Sequence, residues 1–328
     1  ADAGYEVGFE QLTICENYAP CTADTSIADY MRADIEDKNI KVYTNETVYT
    51  VSRTSGLITS LVHGGKELIA SPVRPTVWRA PTDNDMYVKS KWLSYNFDIA
   101  KTYCHSCALE SDGKNPVIKA KLSLGGASST VIAEIDVTYT FDAHTGVKID
   151  MDTSVAECMP YLPRFGVEFI MPKDTEKLKY FGRGSAESYA DKRHASKNGL
   201  FASSINDNFE HYIRPQENMA HADTKWAEIY SYAGHGLLAA KTANFSDFSF
   251  NASHYTPKML TETPHDYALI PMKETCVNID YRQSGVGSNS CGPELPEKYR
   301  LSEKKFVFSF RLVPVFAENI DPFKFTNI

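Results

Sequence analysis

The chain has 328 residues, 42% of them apolar, which suits one large domain or two ordinary ones. Its net charge is −8 and no basic tract occurs, which argues against a nucleic-acid partner. No apolar run approaches the roughly 18 to 20 residues of a membrane helix, so no membrane partner is expected. The start, ADAGYEVGFEQLTI, has neither the basic head nor the apolar run of a secretory signal and no initiator Met, and in a cut piece this says nothing of the parent's destination. Seven cysteines, an odd and scattered set, argue against a disulfide framework and for a reducing compartment, the cytoplasm.

Taken in chain order, alternation with a period of two dominates. Ile27 to Ile35 could form one short helix in a polar connecting region. The best domain boundary lies between residues 15 and 38, where Pro20, Thr22 and Asp24 interrupt two strand-like segments. Val42, Thr44, Val48 and Val51 lead to a Ser55-Gly56 turn, then Leu57, Thr59 and Leu61 alternate up to Gly64-Gly65, which predicts a β-meander. Lys89 to Ala100 is a second, weak helix. Val131, Ala133, Ile135, Val137 and Tyr139 alternate, His144-Thr145-Gly146 turns, and Val147, Ile149 and Met151 return. Near the end, Phe306, Phe308, Phe310 and Leu312 share one face, with Val307, Ser309 and Arg311 on the other. The expected fold is therefore all-β, a large antiparallel sandwich with polar, Gly-rich loops.

Several loops carry candidate chemistry. Asp83-Asn84-Asp85 is the densest acidic cluster; on a strand both carboxylates would point the same way, towards sugar hydroxyls or a cation. The structural alternative, preferred here, is a loop whose carboxylates cap backbone N–H groups and pair with Arg79. In FGRGSAESYADKR (181–193), Arg183 with Glu187 or Asp191 predicts an ion network, structural or lining a sugar groove. Gln216, Glu217 and Asn218 are planar donors and acceptors that grip sugar hydroxyls and fix loops equally well. The Gly- and Pro-rich stretch 284–299 predicts a long shaped loop. His221, His254 and His265 are isolated, and a lone His is more often structural than catalytic. Cys104 and Cys107 have the CxxC spacing of half a zinc site but no second half, so they read as unpaired thiols and no metal is assigned.

Five strings together resemble one family, the β-galactosidases of glycoside hydrolase family two. They are RPTVWRAPTDNDM (74–86), YLPRFGVEFIMP (161–172), FGRGSAESYADKR (181–193), YIRPQEN (212–218) and GVGSNSCGP (285–293), in the family's order. GYEVGFEQLTI (4–14) also resembles the last strand of the family's preceding immunoglobulin-like domain. The resemblance implies that residues 1–34 are the tail of that domain and a linker. It makes residues 35–328 the C-terminal sandwich, similar to galactose mutarotase. It also implies that the catalytic glutamates lie upstream in a (β/α)₈ barrel, since no barrel pattern occurs here. No residue of this chain is then catalytic. In the whole enzyme, which hydrolyses terminal β-D-galactosides such as lactose, this part walls the active site and supports assembly into a homo-oligomer. The partners implied are the galactoside, the barrel and the immunoglobulin-like domains. Mg²⁺ and Na⁺ are expected mainly outside this region, with no cofactor within it.

The residues implied to reach substrate are Asn289, Ser290 and Cys291 on the Gly-rich loop, and Met86 and Tyr87 on the loop after DND that closes over the site. Asp83, Asp85, Arg183, Glu187, Gln216 and Glu217 remain groove or structural candidates. Cys291 stands where the family has a Trp under the sugar, and a thiol offers no stacking face. Tyr87, Ser185, Met219 and His221 replace the usual Gly, Pro, Gly and Arg. Two other readings are a free-standing carbohydrate-binding module and a mutarotase-like epimerase, the latter needing an acid and a base such as His254 or His265 with Glu217.

Overall fold

The computed structural model describes residues 2–14, 30–111, 115–126, 130–287, 291–316, 320–326 and 328. Alternation along the chain becomes strands wherever one face can be buried. The first five, β1 (Arg32–Glu36), β2 (Asn39–Tyr43), β3 (Thr47–Ser52), β4 (Ile58–His63) and β5 (Lys66–Glu67), form a meander in chain order. This is the expected meander, extended at its start. Residues 32–35 are not helical, because β1 finds an antiparallel partner in β2, with Ile35 opposite Ile40. The rest of the expected helix, residues 27–29, lies outside the described residues. β1 also straddles the expected boundary after residue 34.

A short β6 (Arg74–Thr76) leads into helix α1 (Met86–Ser94), which starts three residues earlier than expected and ends before a single turn at Phe97–Ile99. Four long strands follow: β7 (Lys101–Ser111), β8 (Val117–Gly125), β9 (Val131–Asp142) and β10 (Gly146–Val155). The expected β9–β10 hairpin is present. Asp142 Oδ1 accepts from the N–H groups of His144 (2.9 Å) and Thr145 (2.8 Å) to shape its turn. Gly146 has φ +73°, and a Cβ there would meet the Leu312 carbonyl oxygen at 2.3 Å, so the turn requires glycine. The remaining elements are β11 (Arg164–Met171), β12 (Thr175–Gly184), β13 (Lys197–Ser204), β14 (His221–Thr224), β15 (Trp226–Ser231), β16 (His235–Lys241), β17 (Phe248–Ser253), helix α2 (Pro257–Glu262), β18 (Thr275–Gln283) and β19 (Lys305–Phe316).

These strands make two further sheets, both antiparallel. One has nine strands in the order β13-β12-β15-β16-β19-β10-β9-β8-β7; the other has five, β14-β17-β18-β11-β6. The meander packs on the nine-stranded sheet, with Tyr49 against Phe141 at 5.1 Å between ring centroids and the Tyr139 hydroxyl donating to the Gly56 carbonyl. The five-stranded sheet packs on the same face through Phe165 against Phe306 (4.9 Å) and Tyr180 against Phe250 (5.1 Å). One continuous core results. Phe306, Phe308, Phe310 and Leu312 line it as expected. Ser309, expected on a polar face, is nevertheless buried, because Thr242 donates to its hydroxyl (2.8 Å) and it donates to Asp150 (2.6 Å). The opposite face of the nine-stranded sheet is closed by Trp226, Leu238, Val313 and Val315 under the chain's end, where Phe323 meets Trp226 at 5.5 Å.

Candidate functional site

The five-stranded sheet has two unlike faces. Phe165, Val167, Phe169, Phe250, Val277 and Ile279 point into the core. Its other face carries Arg164 and Glu168 from β11, Asn278, Asp280 and Gln283 from β18, and Ser249 and Asn251 from β17, all buried. A bulge between Phe165 and Gly166, opposite Tyr281, keeps Gln283 and Asp280 on one side. Such groups are buried only when paired. Arg164 meets Asp280 in a bidentate pair, Nε–Oδ1 2.9 Å and Nη2–Oδ2 2.5 Å, and its Nη1 lies 3.9 Å from Glu217. Burial pushes Asp280 up to about 6 against the pull of Arg164. Asp280 and Glu217 together hold the Arg164 guanidinium above its ordinary range, against the cost of burial.

Loops are hung from this polar face. Arg79, fully buried, pairs with Asp85 at 2.9 Å and donates to the Ser284 carbonyl at 2.7 Å. Asp85 Oδ2 in turn accepts from the Thr82 N–H (2.8 Å) and hydroxyl (3.1 Å). Asn84 donates to the Val286 carbonyl (2.5 Å), and the Asp83 N–H donates to Gln216 Oε1 (3.3 Å). Glu217 donates its N–H to the Ala80 carbonyl (3.1 Å), and Asn251 donates to the Asn218 carbonyl (2.5 Å). Asp191 accepts from the N–H groups of Val286 (2.9 Å) and Gly287 (2.8 Å). Four separate stretches (79–86, 187–193, 214–219 and 284–287) are thereby tied into one cluster.

Those stretches overlap four of the five strings on which the family resemblance rests, and the fifth string supplies β11, which carries Arg164. The pattern of the family described as "Beta galactosidase small chain" matches residues 43–312. The chain belongs to this family. Curated relatives include the β-galactosidases of Actinobacillus pleuropneumoniae, 30% identical over 95% of this chain, and Staphylococcus xylosus, 34% identical over 94%. This chain spans about a third of their length, 30% and 31%. Among solved structures, galactose 1-epimerase from Lactobacillus acidophilus NCFM aligns with 88% of this chain and 99% of its own, at 9% identity and a TM-score of 0.40.

Within this member of the β-galactosidase small-chain family, the candidates divide by position. Met86 and Tyr87 begin α1 and are exposed, as is Cys291; Asn289 and Ser290 lie outside the described residues. Asp83 and Asp85 do not share a direction, because they form a single helical turn rather than a strand: Asp83 is exposed and Asp85 buried on Arg79. Arg183 pairs with neither Glu187 nor Asp191. It reaches Asp223 at 2.6 Å, where Arg193 also pairs. Glu187 instead accepts from the Tyr212 hydroxyl (2.6 Å), the Met219 N–H (2.9 Å) and Lys192. Gln216, Glu217 and Asn218 act on the loops themselves.

Of the three histidines, His221 and His254 are buried and His265 is exposed. His221 is buried between Tyr180 and Phe250, with Nε2 2.7 Å from Asn208 Oδ1 and Nδ1 3.1 Å from the Tyr180 hydroxyl. Nδ1 also lies 3.1 Å from the Arg183 carbonyl, and burial pushes the imidazole down to about 4, so it is neutral. His254 faces the Glu274 carbonyl (2.9 Å) and Glu176 (3.1 Å), and His265 stacks on Tyr267. Cys104 and Cys107 are free thiols on β7, with burial pushing Cys107 up to about 11. The residues that the sequence reading missed are Arg164, Asp280 and Asn251. Only the LPRFG string touched one of them, and nothing local joins Arg164 to a partner 116 positions away.

Proposed function

We propose that this chain is the small-chain part of a β-galactosidase, an enzyme that hydrolyses terminal β-D-galactosides such as lactose. The catalytic glutamates belong to an upstream barrel, joined through an immunoglobulin-like domain. This part walls the substrate site with Met86, Tyr87, Asn289, Ser290 and Cys291, and supports assembly of a homo-oligomer in the cytoplasm. One observation carries the reading: four stretches far apart in sequence are tied together beside the polar face of one sheet, and the first of them leads to the exposed side chains of Met86 and Tyr87.

The buried groups of the cluster are committed to one another. Asp85 is held by Arg79 and Thr82, and Glu187 by Tyr212, Lys192 and Met219. This supports a positioning part rather than a catalytic one, with Mg²⁺ and Na⁺ held mainly outside this region as part of the same proposal. The cluster's role is then to hold the wall still, which lowers the ordering cost of substrate binding.

The isolated chain is assayed on a chromogenic β-galactoside, alone and after mixing with the large portion of a β-galactosidase that lacks its small chain. The expected result is no turnover alone and restored turnover in the mixture. Turnover by the isolated chain that a substitution in it abolishes would overturn the proposal.

A further inference from the structure

Single exposed apolar side chains are ordinary on a protein surface, but a group of them marks a contact. From residue 30 onwards, the three most exposed large apolar side chains among the described residues are Ile213 (88%), Tyr267 (86%) and Ile270 (78%). All three lie on two loops, 209–216 and 263–272, that the fold joins. The Asp266 N–H donates to the Ile213 carbonyl (3.1 Å), and the Asp266 carboxylate lies 2.8 Å from His211 Nδ1. Arg214, next to Ile213, is exposed as well, and its side chain makes no ion pair or hydrogen bond among the described residues.

These side chains stand on a fixed base. Phe209 packs against His211 (4.9 Å) and Tyr255 (4.5 Å), and His265 stacks on Tyr267 (5.2 Å). The Leu269 N–H closes a turn on the Asp266 carbonyl (2.9 Å), and the Met272 N–H donates to the His254 carbonyl (2.9 Å). Pro215, Pro264 and Pro271 follow Arg214, Thr263 and Ile270 and restrict the backbone there. Apolar groups held in one conformation bind a partner with less ordering cost than groups on a loose loop. Tyr and Arg are also the side chains that most often anchor protein interfaces.

Position selects the partner. Ile213 and Arg214 lie between two members of the loop cluster: Tyr212 donates to Glu187 (2.6 Å), and Gln216 accepts from the Asp83 N–H (3.3 Å). Asp83 opens the turn that leads to Met86 and Tyr87, so the patch is linked to the proposed substrate wall. The chain spans about a third of its β-galactosidase relatives, and the proposed function places the catalytic groups in the remainder. That remainder has to stand against the wall, and the same approach brings it to the patch.

We propose that Ile213, Arg214, Tyr267 and Ile270 form the surface on which the catalytic portion of the enzyme docks, through an apolar face with an acidic group opposite Arg214. The proposal rests on the small-chain reading above and adds the contact surface to it.

The large portion of a β-galactosidase that lacks its small chain is titrated with the 328-residue chain, and turnover of a chromogenic β-galactoside is followed. Ile213→Asp, Tyr267→Ser and Arg214→Glu should each raise the half-saturating concentration about ten- to thirtyfold, the loss expected of a central interface residue. Plateau turnover should stay unchanged. The melting temperatures of Ile213→Asp and Tyr267→Ser should match that of the parent chain, because neither side chain is buried in it. Tyr232→Ser, at a 72% exposed tyrosine on the β15–β16 turn, should leave the half-saturating concentration unchanged. If the parent chain restores turnover and the Ile213 and Tyr267 variants do so at the same concentration, the docking surface is overturned and the small-chain reading stands. If the parent chain neither restores turnover nor binds the large portion in sedimentation, both are overturned. Self-association of the chain alone that Ile213→Asp abolishes would place a second copy on the patch and would also overturn the proposal.

Discussion

The two faces of the five-stranded sheet are built from the same three strands and do opposite work. The core face of β11, β17 and β18 is Phe165, Val167, Phe169, Phe250, Val277 and Ile279, and it holds the sheet to its nine-stranded neighbour. The outer face is Arg164, Glu168, Ser249, Asn251, Asn278, Asp280 and Gln283, also buried, and it holds loops. The first face depends on area removed from water and tolerates changes of shape. The second depends on pairing, and a missing partner leaves a charge stranded. Removing a group from each should therefore fail in different ways.

The largest effect is expected from the polar face. Arg164→Met strands Asp280 and leaves Glu217 without its nearby cation, and should cost about 4 kcal/mol in denaturant unfolding. Arg164→Met combined with Asp280→Leu should cost less than the single change, because the stranded Asp280 charge is gone and only the more distant Glu217 is left without its cation. A double variant weaker than the single would show that the pair itself, not the stranded acid, carries the stability. On the apolar face, Ile279→Ala should cost about 3 kcal/mol through the cavity it leaves, and adding a second change nearby should not restore it.

A third experiment opposes a buried base on one face to a buried acid on the other. His221, packed with Phe250, has its folded value depressed from 6.5 to about 4. The unfolded chain then binds the extra proton first, so this group's contribution is lost as pH falls through 6.5, about 2 kcal/mol between pH 7 and 5. Asp280 has its folded value raised from 3.8 to about 6. Here the folded chain binds the proton first, so acidification over the same range adds about 1 kcal/mol. The second offsets part of the first, and these two groups together should lower stability by up to about 1 kcal/mol from pH 7 to 5. His221→Gln removes one side of the balance. Its stability, read from urea midpoints at each pH, should rise on acidification; a fall would show that Asp280 does not titrate in this window.

How much of this was legible follows from the same contrast. Alternation reports a strand with one wet face, so the β9–β10 hairpin and the Phe306–Leu312 face of β19 could be read directly. β11 and β18 are buried on both sides, and their outer face is polar because it meets loops rather than water. No local pattern announces that. The spacing of Ile27, Met31 and Ile35 fits a helix, yet residues 32–36 become a strand because β2 lies alongside. The loops were visible as Gly-, Pro- and acid-rich strings, but their partners were not. Arg183 looked to Glu187 four positions on, whereas folding delivered Asp223 from forty positions away. The family resemblance marked these loops as a set of strings; three-dimensional pairing decided what each carboxylate does.

The smallest expected effect tests whether the loops have any slack. Met219 has φ +48°, in the left-handed region that favours glycine, and the resembling family has glycine there. The conformation is held because the Met219 N–H donates to Glu187 Oε2 at 2.9 Å while Glu187 is anchored by Tyr212. Met219→Gly relieves the strain and keeps the donor, since that donor is backbone. Against this gain stands the greater freedom glycine gives the unfolded chain, about 0.5 to 1 kcal/mol. The net should be a stabilisation of about 0.5 kcal/mol, seen as a small upward shift of the melting temperature. Met219→Ala keeps the side-chain penalty and should gain nothing. If both variants lose stability alike, the methionine side chain contributes packing that outweighs its backbone strain. The loop would then be held by side-chain burial, as the core face is, and not by pairing alone.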